Sequence, residues 1–272
     1  MTSLTERAER FRALHDGPAP LLLPNPWDKG SAKLLAALGF QALATTSSGF
    51  AATLGRLDGQ VTREEALVHA AALAGTTDLP VSADLENGYA DEPDEVAETV
   101  RLAVDASLAG CSIEDHTGDS ASPIYGRRLA AERIAAAAEA AAASPVRLVL
   151  TARAENYLHG NPDLADTIAR LQAYQEAGAD VLYAPGLTSI GDIRSLVASV
   201  DRPVNVLALP GVPPVADLAE AGVRRISVGG GFAWAAFTGV VEAARELLDH
   251  GSYGWAERSA PGRTAVRSAF GG

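Results

Sequence analysis

The chain has 272 residues, of which 47% are hydrophobic, so it can bury a large core within one or two domains. Its 22 basic and 34 acidic side chains give a net charge of −12, which argues against a nucleic-acid-binding surface, and its single cysteine, Cys111, excludes an internal disulfide framework. Without a signal segment or an apolar stretch long enough to span a membrane, we expect a cytoplasmic protein that contacts neither nucleic acid nor membranes.

Short apolar segments alternate with amphipathic segments along most of the chain, and this alternation predicts strands and helices in turn. A first helix is predicted over 2–15, and the segment 46–50 after the second strand is expected to be a loop. The predicted strands cover 21–23, 41–45, 79–83, 111–114, 147–151, 180–183, 203–207 and 225–228. The predicted helices between and after them cover 28–38, 62–74, 94–108, 128–143, 163–177, 190–199, 215–221 and 233–250.

The predicted strands are apolar along their length, as expected for a parallel sheet that is buried on both faces. Eight strand–helix units in about 250 residues favour a closed (β/α)8 barrel, or TIM barrel, over an open doubly wound sheet. No G-x-G-x-x-G follows the first strand, which argues against a dinucleotide fold. Four helices are expected to end at a glycine in the C′ position, namely Gly39, Gly110, Gly178 and Gly222. We predict one α/β barrel domain over 1–272, with 251–272 as a C-terminal extension that could pack on a neighbouring subunit.

Two carboxylates stand at the end of the third predicted strand, where Asp84 is followed two residues later by Glu86. Side chains at positions i and i+2 of an extended segment point to the same side, so these two groups can converge. Their repulsion is relieved by a proton or by a cation such as Mg²⁺, which takes one or two protein carboxylates and completes its shell with water and substrate. A solvated strand end is the alternative for an isolated Asp-x-Glu.

Polar residues also stand at the ends of other predicted strands, which is where barrel enzymes place their chemistry. They are Ser47, Ser48, Gly49 and Asp58 after the second strand, Glu114 and Asp115 at the fourth, Arg153 and Glu155 after the fifth, Asn205 in the seventh, and Ser227 with Gly229-Gly230-Gly231 at the eighth. Acidic groups beside a lone arginine suit a bound Mg²⁺ with an anionic substrate, because a guanidinium can fork onto a carboxylate or phosphoryl group.

Four segments carry a family resemblance: Leu54-Gly55-Arg56-Leu57-Asp58-Gly59, Asp84-Leu85-Glu86-Asn87-Gly88-Tyr89, Ile113-Glu114-Asp115 and Thr151-Ala152-Arg153-x-Glu155. Together they resemble the isocitrate lyase/phosphoenolpyruvate mutase superfamily over about 21–248. The resemblance implies a (β/α)8 barrel whose C-terminal helix is exchanged between subunits of a homodimer or homotetramer. It also implies Mg²⁺, or Mn²⁺, bound with a small 2-oxo acid or related carboxylate, and a C–C or P–C bond made or broken next to the carbonyl.

The resemblance also implies roles for individual residues. Asp84 resembles the direct metal ligand, while Glu86, Glu114 and Asp58 resemble the groups that hold metal-bound water. The residues expected to bind substrate are Ser47, Ser48, Gly49, Arg153 and Asn205. The residues expected to take part in catalysis are Arg153, Glu114, Asp58 and His116.

The segment 116–126 departs from the family pattern. Isocitrate and methylisocitrate lyases carry a Lys-Lys/Arg-Cys-Gly-His motif there, whose cysteine acts as acid or base, whereas this segment has no cysteine and is not lysine-rich. Cys111 is expected to be a buried small hydrophobe. The segment could close over the site and supply a proton donor or acceptor, with His116, Thr117 and Asp119 as candidates. His69, His159 and His250 are expected at the surface.

Several functions stay open. The first is a Mg²⁺-dependent lyase-type enzyme that acts on a small 2-oxo or dicarboxylic acid through a metal-stabilised enolate. The second is a mutase or hydrolase of phosphonopyruvate or carboxyvinyl-phosphonate, and the third is a non-catalytic protein that binds 2-oxo acids. A phosphate-binding isomerase or synthase that uses Gly229-Gly230-Gly231 is a further alternative.

Overall fold

A computed structural model of the chain describes residues 2–271. Eight parallel strands form one sheet, in the order β1-β8-β7-β6-β5-β4-β3-β2. The strands are β1 (Leu21–Leu23), β2 (Leu43–Ala44), β3 (Val81–Asp84), β4 (Gly110–Glu114), β5 (Val149–Arg153), β6 (Val181–Tyr183), β7 (Val204–Leu207) and β8 (Arg225–Ser227). Each of the eight predicted strands is present, with its bounds moved by at most two residues.

Helices follow the strands around the sheet. They are α1 (Leu4–Ala13), α2 (Lys29–Ala37), α3 (Ser47–Thr53), α4 (Arg63–Ala74), α5 (Pro93–Asp105), α6 (Arg127–Ala143), α7 (Leu164–Glu176), α8 (Ile190–Ala198), α9 (Val215–Glu220), α10 (Gly231–His250), α11 (Gly254–Arg258) and α12 (Ala260–Phe270). No helix among residues 2–271 combines the length and the apolar character that crossing a membrane requires.

The connection between β1 and β2 brings the two ends of the sheet together. The Ala44 N–H donates to the Pro24 carbonyl at 3.1 Å, and Asn25 Nδ2 donates to the Thr45 carbonyl at 2.8 Å. The Asn25 Oδ1 also accepts from the N–H groups that follow β8. The sheet is therefore a nearly closed (β/α)8 barrel, as the alternation of strands and helices predicts.

The segment 46–50 is not a loop, so that prediction is wrong. Thr46 caps α3 by accepting a hydrogen bond from the Gly49 N–H at 3.3 Å, and Ala51 on the same helix is fully buried. Serine and glycine favour turns in isolation, but a capping threonine and a buried alanine stabilise a short helix here. The capping box predicted at Thr62 is present at the start of α4.

Three of the four predicted C′ glycines take the left-handed conformation, with φ of 97° at Gly39, 105° at Gly178 and 87° at Gly222. The prediction for Gly110 is wrong, because α5 ends earlier and Ser107 takes the positive φ of 61°. Gly110 is instead the first residue of β4, where a Cβ would lie 2.7 Å from the Val149 carbonyl oxygen.

Apolar side chains fill the space between the sheet and the helices, and Cys111 is fully buried among them, as predicted. Apolar strand residues such as Leu21, Val149 and Val181 pack with Phe11 of α1, whereas other buried side chains of the strands are polar, in contrast to the Val, Ile and Leu that usually fill such barrels. These buried polar side chains are Ser82, Thr151, Asn205, Arg225 and Ser227. Polar groups therefore extend down the barrel from the strand ends.

The C-terminal part of the chain leaves the barrel. In the 20-residue helix α10 only Ala233 is buried. The segment predicted as an extension forms α11 and α12, and α12 packs against α2 of the same chain, with the ring of Phe270 beside Gly30. The long helix α10 thus presents most of its surface to solvent in a single chain.

Candidate active site

A cavity of about 190 Å³ lies at the carboxyl ends of the strands. This volume is below the 300–1,000 Å³ common for ligand pockets, so it suits a small molecule. A larger cavity of about 570 Å³ opens at the other end of the barrel, between α1, β1 and the start of β2, but no charged side chain lines it. The chemistry therefore belongs to the smaller, polar cavity.

Arg153 is at the centre of an acidic cluster. Its Nη1 lies 2.8 Å from Asp84 Oδ1, its Nη2 lies 3.0 Å from Glu114 Oε2, and its Nε lies 2.8 Å from Glu155 Oε1. The guanidinium also lies over the Tyr183 ring, 5.2 Å from its centroid. The strand register explains the cluster, because β5 extends to Arg153 and pairs it with Glu114 on β4, while Asp84 ends the next strand.

Asp84 is held from two elements. Its backbone N–H donates to Thr45 Oγ1 at 2.8 Å, and its carboxylate accepts a long hydrogen bond of 3.3 Å from the Ser47 N–H. Ser112 Oγ donates to the same carboxylate at 3.4 Å. With the Arg153 contact, these bonds fix the side chain at the wall of the cavity and occupy both acceptor positions of Oδ1, while Oδ2 keeps a free lone pair.

Glu86 is the next acidic side chain along the chain, and its backbone is left-handed with φ of 49°. Burial, followed by repulsion from Asp84 and Asp58, raises the pKa of Glu86 to about 7, although Tyr89 donates a hydrogen bond to it at 3.2 Å. Asp58 lines the cavity at its exposed rim, where loss of solvation raises its pKa although Ser47 donates to it. Loss of solvation is the main cause of both shifts, and repulsion from neighbouring carboxylates adds to it.

Glu114 and Asp115 have different surroundings. Burial raises the pKa of Glu114 well above its ordinary value, although Arg153 opposes that shift. Asp115 points away into a buried network, where it accepts from the Glu155 N–H at 2.8 Å and from the Tyr174 hydroxyl at 2.6 Å. Asp115 therefore holds the ends of β4 and β5 together rather than facing the cavity.

His116 is not among the residues that line the cavity. Its ring stacks on His159 with centroids 3.8 Å apart, and its Nδ1 lies 3.8 Å from Glu114 Oε1. The rest of segment 116–126 closes on itself through a backbone bridge between His116 and Ile124 and through the Thr117 hydroxyl, which donates to the Ser122 carbonyl at 2.7 Å. Of the four predicted catalytic residues, Arg153 and Asp58 line the cavity, Glu114 contacts Arg153, and His116 lies outside the lining.

The predicted substrate-binding residues separate into two groups. Ser47, Ser48, Arg153 and Asn205 line the cavity. Gly49 does not, because its N–H is used by Thr46 in the cap of α3, and a Cβ there would lie 2.6 Å from Thr46 Cγ2. Gly230 serves close packing in a similar way, since a Cβ there would lie 2.8 Å from Ser48 Oγ.

The prediction that His69 is a surface side chain is wrong. Its ring stacks on Phe50 with centroids 3.8 Å apart, its Nε2 is buried, and burial lowers its pKa to about 4. His69 lies beside Glu86 and Tyr89 in a small recess next to the acidic cluster. Its helical position gave no sign of this, because helix periodicity does not identify which neighbouring loop covers a side chain.

Arg225 is the main lining residue that the sequence prediction missed. It begins β8, is 4% exposed, and lines the cavity together with Tyr183 and Ser227. The available signal was the i, i+2 relation to Ser227, which places both side chains on the inner face of the barrel. The sequence prediction places site residues at the ends of strands, whereas Arg225 lies at the start of one.

A divalent cation fits the acidic cluster electrostatically, because Glu86 and Asp58 carry raised pKa values that a nearby positive charge would lower. Within residues 2–271, no three His, Cys, Asp or Glu side chains are grouped closely enough to ligate one ion directly. Mg²⁺ does not require such a group, since it is commonly held by one or two carboxylates with water in the remaining positions. Asp84, with Glu86, Glu114 and Asp58 acting through water, is therefore compatible with Mg²⁺.

The chain is similar to known proteins over most of its length. A solved structure from Burkholderia cenocepacia, of a protein proposed to be a lyase or mutase, is 50% identical, has a TM-score of 0.95, and matches over 97% of this chain and 96% of that one. An uncharacterized protein of Mycobacterium tuberculosis is 37% identical over 241 residues, covering 88% of this chain and 89% of the relative. The 2-methylisocitrate lyase of Halalkalibacterium halodurans is 29% identical over 248 residues, covering 90% of this chain and 78% of the lyase. The family model described as phosphoenolpyruvate phosphomutase matches residues 11–248. The chain therefore belongs to the phosphoenolpyruvate phosphomutase family, within the phosphoenolpyruvate mutase/isocitrate lyase superfamily.

Proposed function

We propose that the protein is a Mg²⁺-dependent lyase-type enzyme that breaks or makes a C–C bond next to the carbonyl of a small 2-oxo or dicarboxylic acid. The observation that carries this proposal is the surplus of carboxylates around one guanidinium at the mouth of the barrel. They are Asp58, Asp84, Glu86, Glu114 and Glu155, around Arg153. The similarity to a 2-methylisocitrate lyase supports the same class of reaction.

Asp84 would hold the Mg²⁺, or Mn²⁺, directly, while Glu86, Glu114 and Asp58 would hold its water. The cation would supply positive charge to the enolate that develops when the bond next to the carbonyl breaks. Ser47 and Ser48 line the cavity and are suited to bind the substrate carboxylate. Arg153 keeps three of the carboxylates in fixed positions, which pre-organises the site.

A proton donor or acceptor is still required, since segment 116–126 has no cysteine. Asp58 is the best placed, because it lines the cavity and partial loss of solvation raises its pKa, so its carboxyl holds a proton more readily than an exposed aspartate. His116 is a weaker candidate, because it is stacked on His159 outside the cavity lining.

The second candidate function is cleavage or transfer at a P–C bond, which the description of the matching family favours. A phosphonate carries up to two negative charges and requires several cationic contacts. Arg153 already contacts three carboxylates, so it offers little net positive charge to such a group. A 2-oxo carboxylic acid is therefore the better match to this cavity.

The test is a thermal-shift screen of small 2-oxo and dicarboxylic acids with and without Mg²⁺, followed by product analysis of every acid that stabilises the protein. We expect stabilisation that depends on Mg²⁺ and C–C bond chemistry on at least one acid. In Asp84→Asn the Mg²⁺-dependent shift should disappear, whereas Asp78→Asn, an exposed aspartate before β3, should retain it.

Three outcomes separate the functions that remain. A protein that responds to neither Mg²⁺ nor any acid contradicts the proposal. Tight binding without any product would instead support the non-catalytic function, and turnover restricted to phosphonates would support P–C chemistry. An unchanged shift in Asp84→Asn would mean that the cation binds elsewhere.

We also propose that the chain forms a homodimer or homotetramer through its C-terminal helices. The support is the exposed apolar surface of α10, which carries Phe232, Trp234, Phe237, Val240, Val241, Leu247 and Leu248. Soluble monomers rarely expose a contiguous apolar surface of this kind. Exchange of this helix between subunits would bury it.

A further inference from the structure

Two arginines line the cavity, and their charges are balanced very differently. Each nitrogen of the Arg153 guanidinium lies within 3.0 Å of a separate carboxyl group, so three acidic side chains surround its single positive charge. Arg153 therefore orients the acidic groups, but it provides no surplus positive charge to attract an anion.

Arg225 has no carboxylate among its hydrogen-bond partners in residues 2–271. Its Nε donates to Asn205 Oδ1 at 3.0 Å, its Nη1 donates to Thr151 Oγ1 at 3.0 Å, and the same Nη1 lies 3.4 Å from His15 Nε2. Burial lowers the pKa of Arg225 to about 10, so the side chain is still cationic at neutral pH. His15 is neutral there, because burial lowers its pKa to about 4.

A buried arginine without an acidic partner is costly, since taking its charge out of water is offset only when a counter-charge is close. Arg225 is 4% exposed and lines the cavity, which opens at the strand ends. A negatively charged ligand that enters this cavity would supply the missing counter-charge.

The Arg225 guanidinium lies deeper in the barrel than the acidic cluster, because its Nη1 donates to Thr151 on β5, two residues before Arg153, and lies near His15. In the strand order β8 lies opposite β4, and β7 lies opposite β3. Arg225 and Asn205 are on β8 and β7, whereas Asp84 and Glu114 are on β3 and β4. Arg225 also lines the cavity, so a substrate whose 2-oxo carboxylate end lies at the acidic cluster can direct its other end down the barrel towards Arg225.

We propose that Arg225, together with Asn205 and Ser227, binds a second carboxylate at the far end of the substrate, so that the preferred substrates are 2-oxo dicarboxylates. This assignment rests on the function proposed above. It favours a carboxylate over a phosphonate, because a single guanidinium with neutral neighbours balances one negative charge rather than two.

The test compares three acids that differ only in the group on C3: 2-oxobutyrate with a methyl group, oxaloacetate with a carboxylate and 3-phosphonopyruvate with a phosphonate. Dissociation constants are measured by calorimetry with Mg²⁺ present. We expect the wild-type protein to bind oxaloacetate at least about tenfold more tightly than 2-oxobutyrate, as a charge-assisted hydrogen bond would give.

In Arg225→Met this preference should disappear while the affinity for 2-oxobutyrate stays within about threefold. Arg224→Met is the matched control, because Arg224 is the neighbouring residue, is exposed, and loses the same charge. It should keep the preference. Arg225→Lys should keep part of it, since lysine retains the charge but cannot bridge Asn205 and Thr151 in the same way.

Equal wild-type affinity for oxaloacetate and 2-oxobutyrate overturns the assignment of Arg225 and leaves the proposed function standing. A preference for oxaloacetate that persists in Arg225→Met also overturns the assignment of Arg225. Tighter binding of 3-phosphonopyruvate than of oxaloacetate overturns the choice of a carboxylate as the second group. Failure of all three acids to bind overturns the proposed function and this assignment with it. If Arg225→Met does not fold, the wild-type comparison of the three acids and the Arg225→Lys variant still test the assignment of Arg225.

Discussion

Arg153 has a structural consequence that is separate from any contact with substrate. Its side chain is only 15% exposed, and it contacts Asp84, Glu114 and Glu155 at 3.0 Å or less. Removing one partner of a buried ion pair leaves a charge that is neither solvated nor balanced. The guanidinium is therefore needed for the three carboxylates to stay ionised side by side.

The first prediction concerns Arg153→Met in the absence of divalent cations. The free energy of unfolding at pH 8 should fall by about 3–5 kcal/mol, as for other buried pairs that lose one partner, and Mg²⁺ should restore part of this. Urea denaturation with and without Mg²⁺ measures both effects. Arg56→Met is the control, because its pair with Glu65 is largely exposed and should be worth under about 1 kcal/mol. Equal losses in the two variants would contradict the central role of Arg153.

The second prediction concerns the pH dependence of stability at His15. Burial lowers the pKa of His15 to about 4, and the Phe11 carbonyl accepts from its Nδ1 at 2.8 Å, so the ring is neutral in the folded protein. Between pH 6.5 and 4 the unfolded chain binds a proton that the folded chain does not. Stability therefore falls as the pH decreases through this range and is unaffected by this group above it.

The variant His15→Gln should lack this contribution. From pH 8 to pH 5 the wild-type protein should lose on the order of 2 kcal/mol more than the variant, since each pH unit below the unfolded pKa corresponds to about 1.4 kcal/mol. Urea denaturation at several pH values gives the two curves. Parallel curves would mean that the pKa of His15 is the same in the folded and unfolded states, which contradicts the prediction.

At the scale of elements, the sequence predicts the features that depend on the local residue pattern, and it misses those that depend on contacts between residues distant in the chain. Alternation of apolar and amphipathic segments gives all eight strands, and the polar residues at their ends lead to Asp84, Glu114 and Arg153. The i, i+2 relation to Ser227 could place Arg225 on the inner face of the barrel. The partners of Arg153 and Arg225 could not be predicted, because side-chain packing decides which groups an arginine contacts. The sequence predicts Gly110 at a helix end, but glycine is also favoured where two backbone segments lie close together, and the sequence does not distinguish the two uses.

The end of α5 provides the third prediction. Ser107 takes a left-handed φ of 61° there, is exposed, and is a position where glycine is normally favoured. Ser107→Gly should raise the free energy of unfolding by about 0.5–1 kcal/mol, because it removes the Cβ strain while adding some backbone entropy to the unfolded chain. Ser107→Ala, which keeps a Cβ, should give no such gain. Equal stability changes in the two variants would show that φ is not the cause.

At the scale of the whole molecule, the barrel and the C-terminal helix α10 differ in how far they bury their apolar residues. The barrel buries its apolar residues within one chain, whereas α10 exposes them along 20 residues. Such a surface is typical of the interface between subunits, where obligate contacts are more hydrophobic than the rest of the surface. We therefore expect α10 to pack against a second copy of the chain.

The fourth prediction is that the wild-type protein is a dimer or tetramer by size-exclusion chromatography with light scattering, and that Val240→Glu shifts it towards the monomer. A charge at the centre of an apolar interface must lose its solvation without gaining a partner, which opposes association. Val68→Glu is a matched control, since Val68 on α4 is 64% exposed and Val240 on α10 is 65% exposed. The control should keep the wild-type assembly, because α4 belongs to the ring of helices around the barrel. A monomeric wild-type protein, or equal effects of the two substitutions, would show that α10 is not the interface.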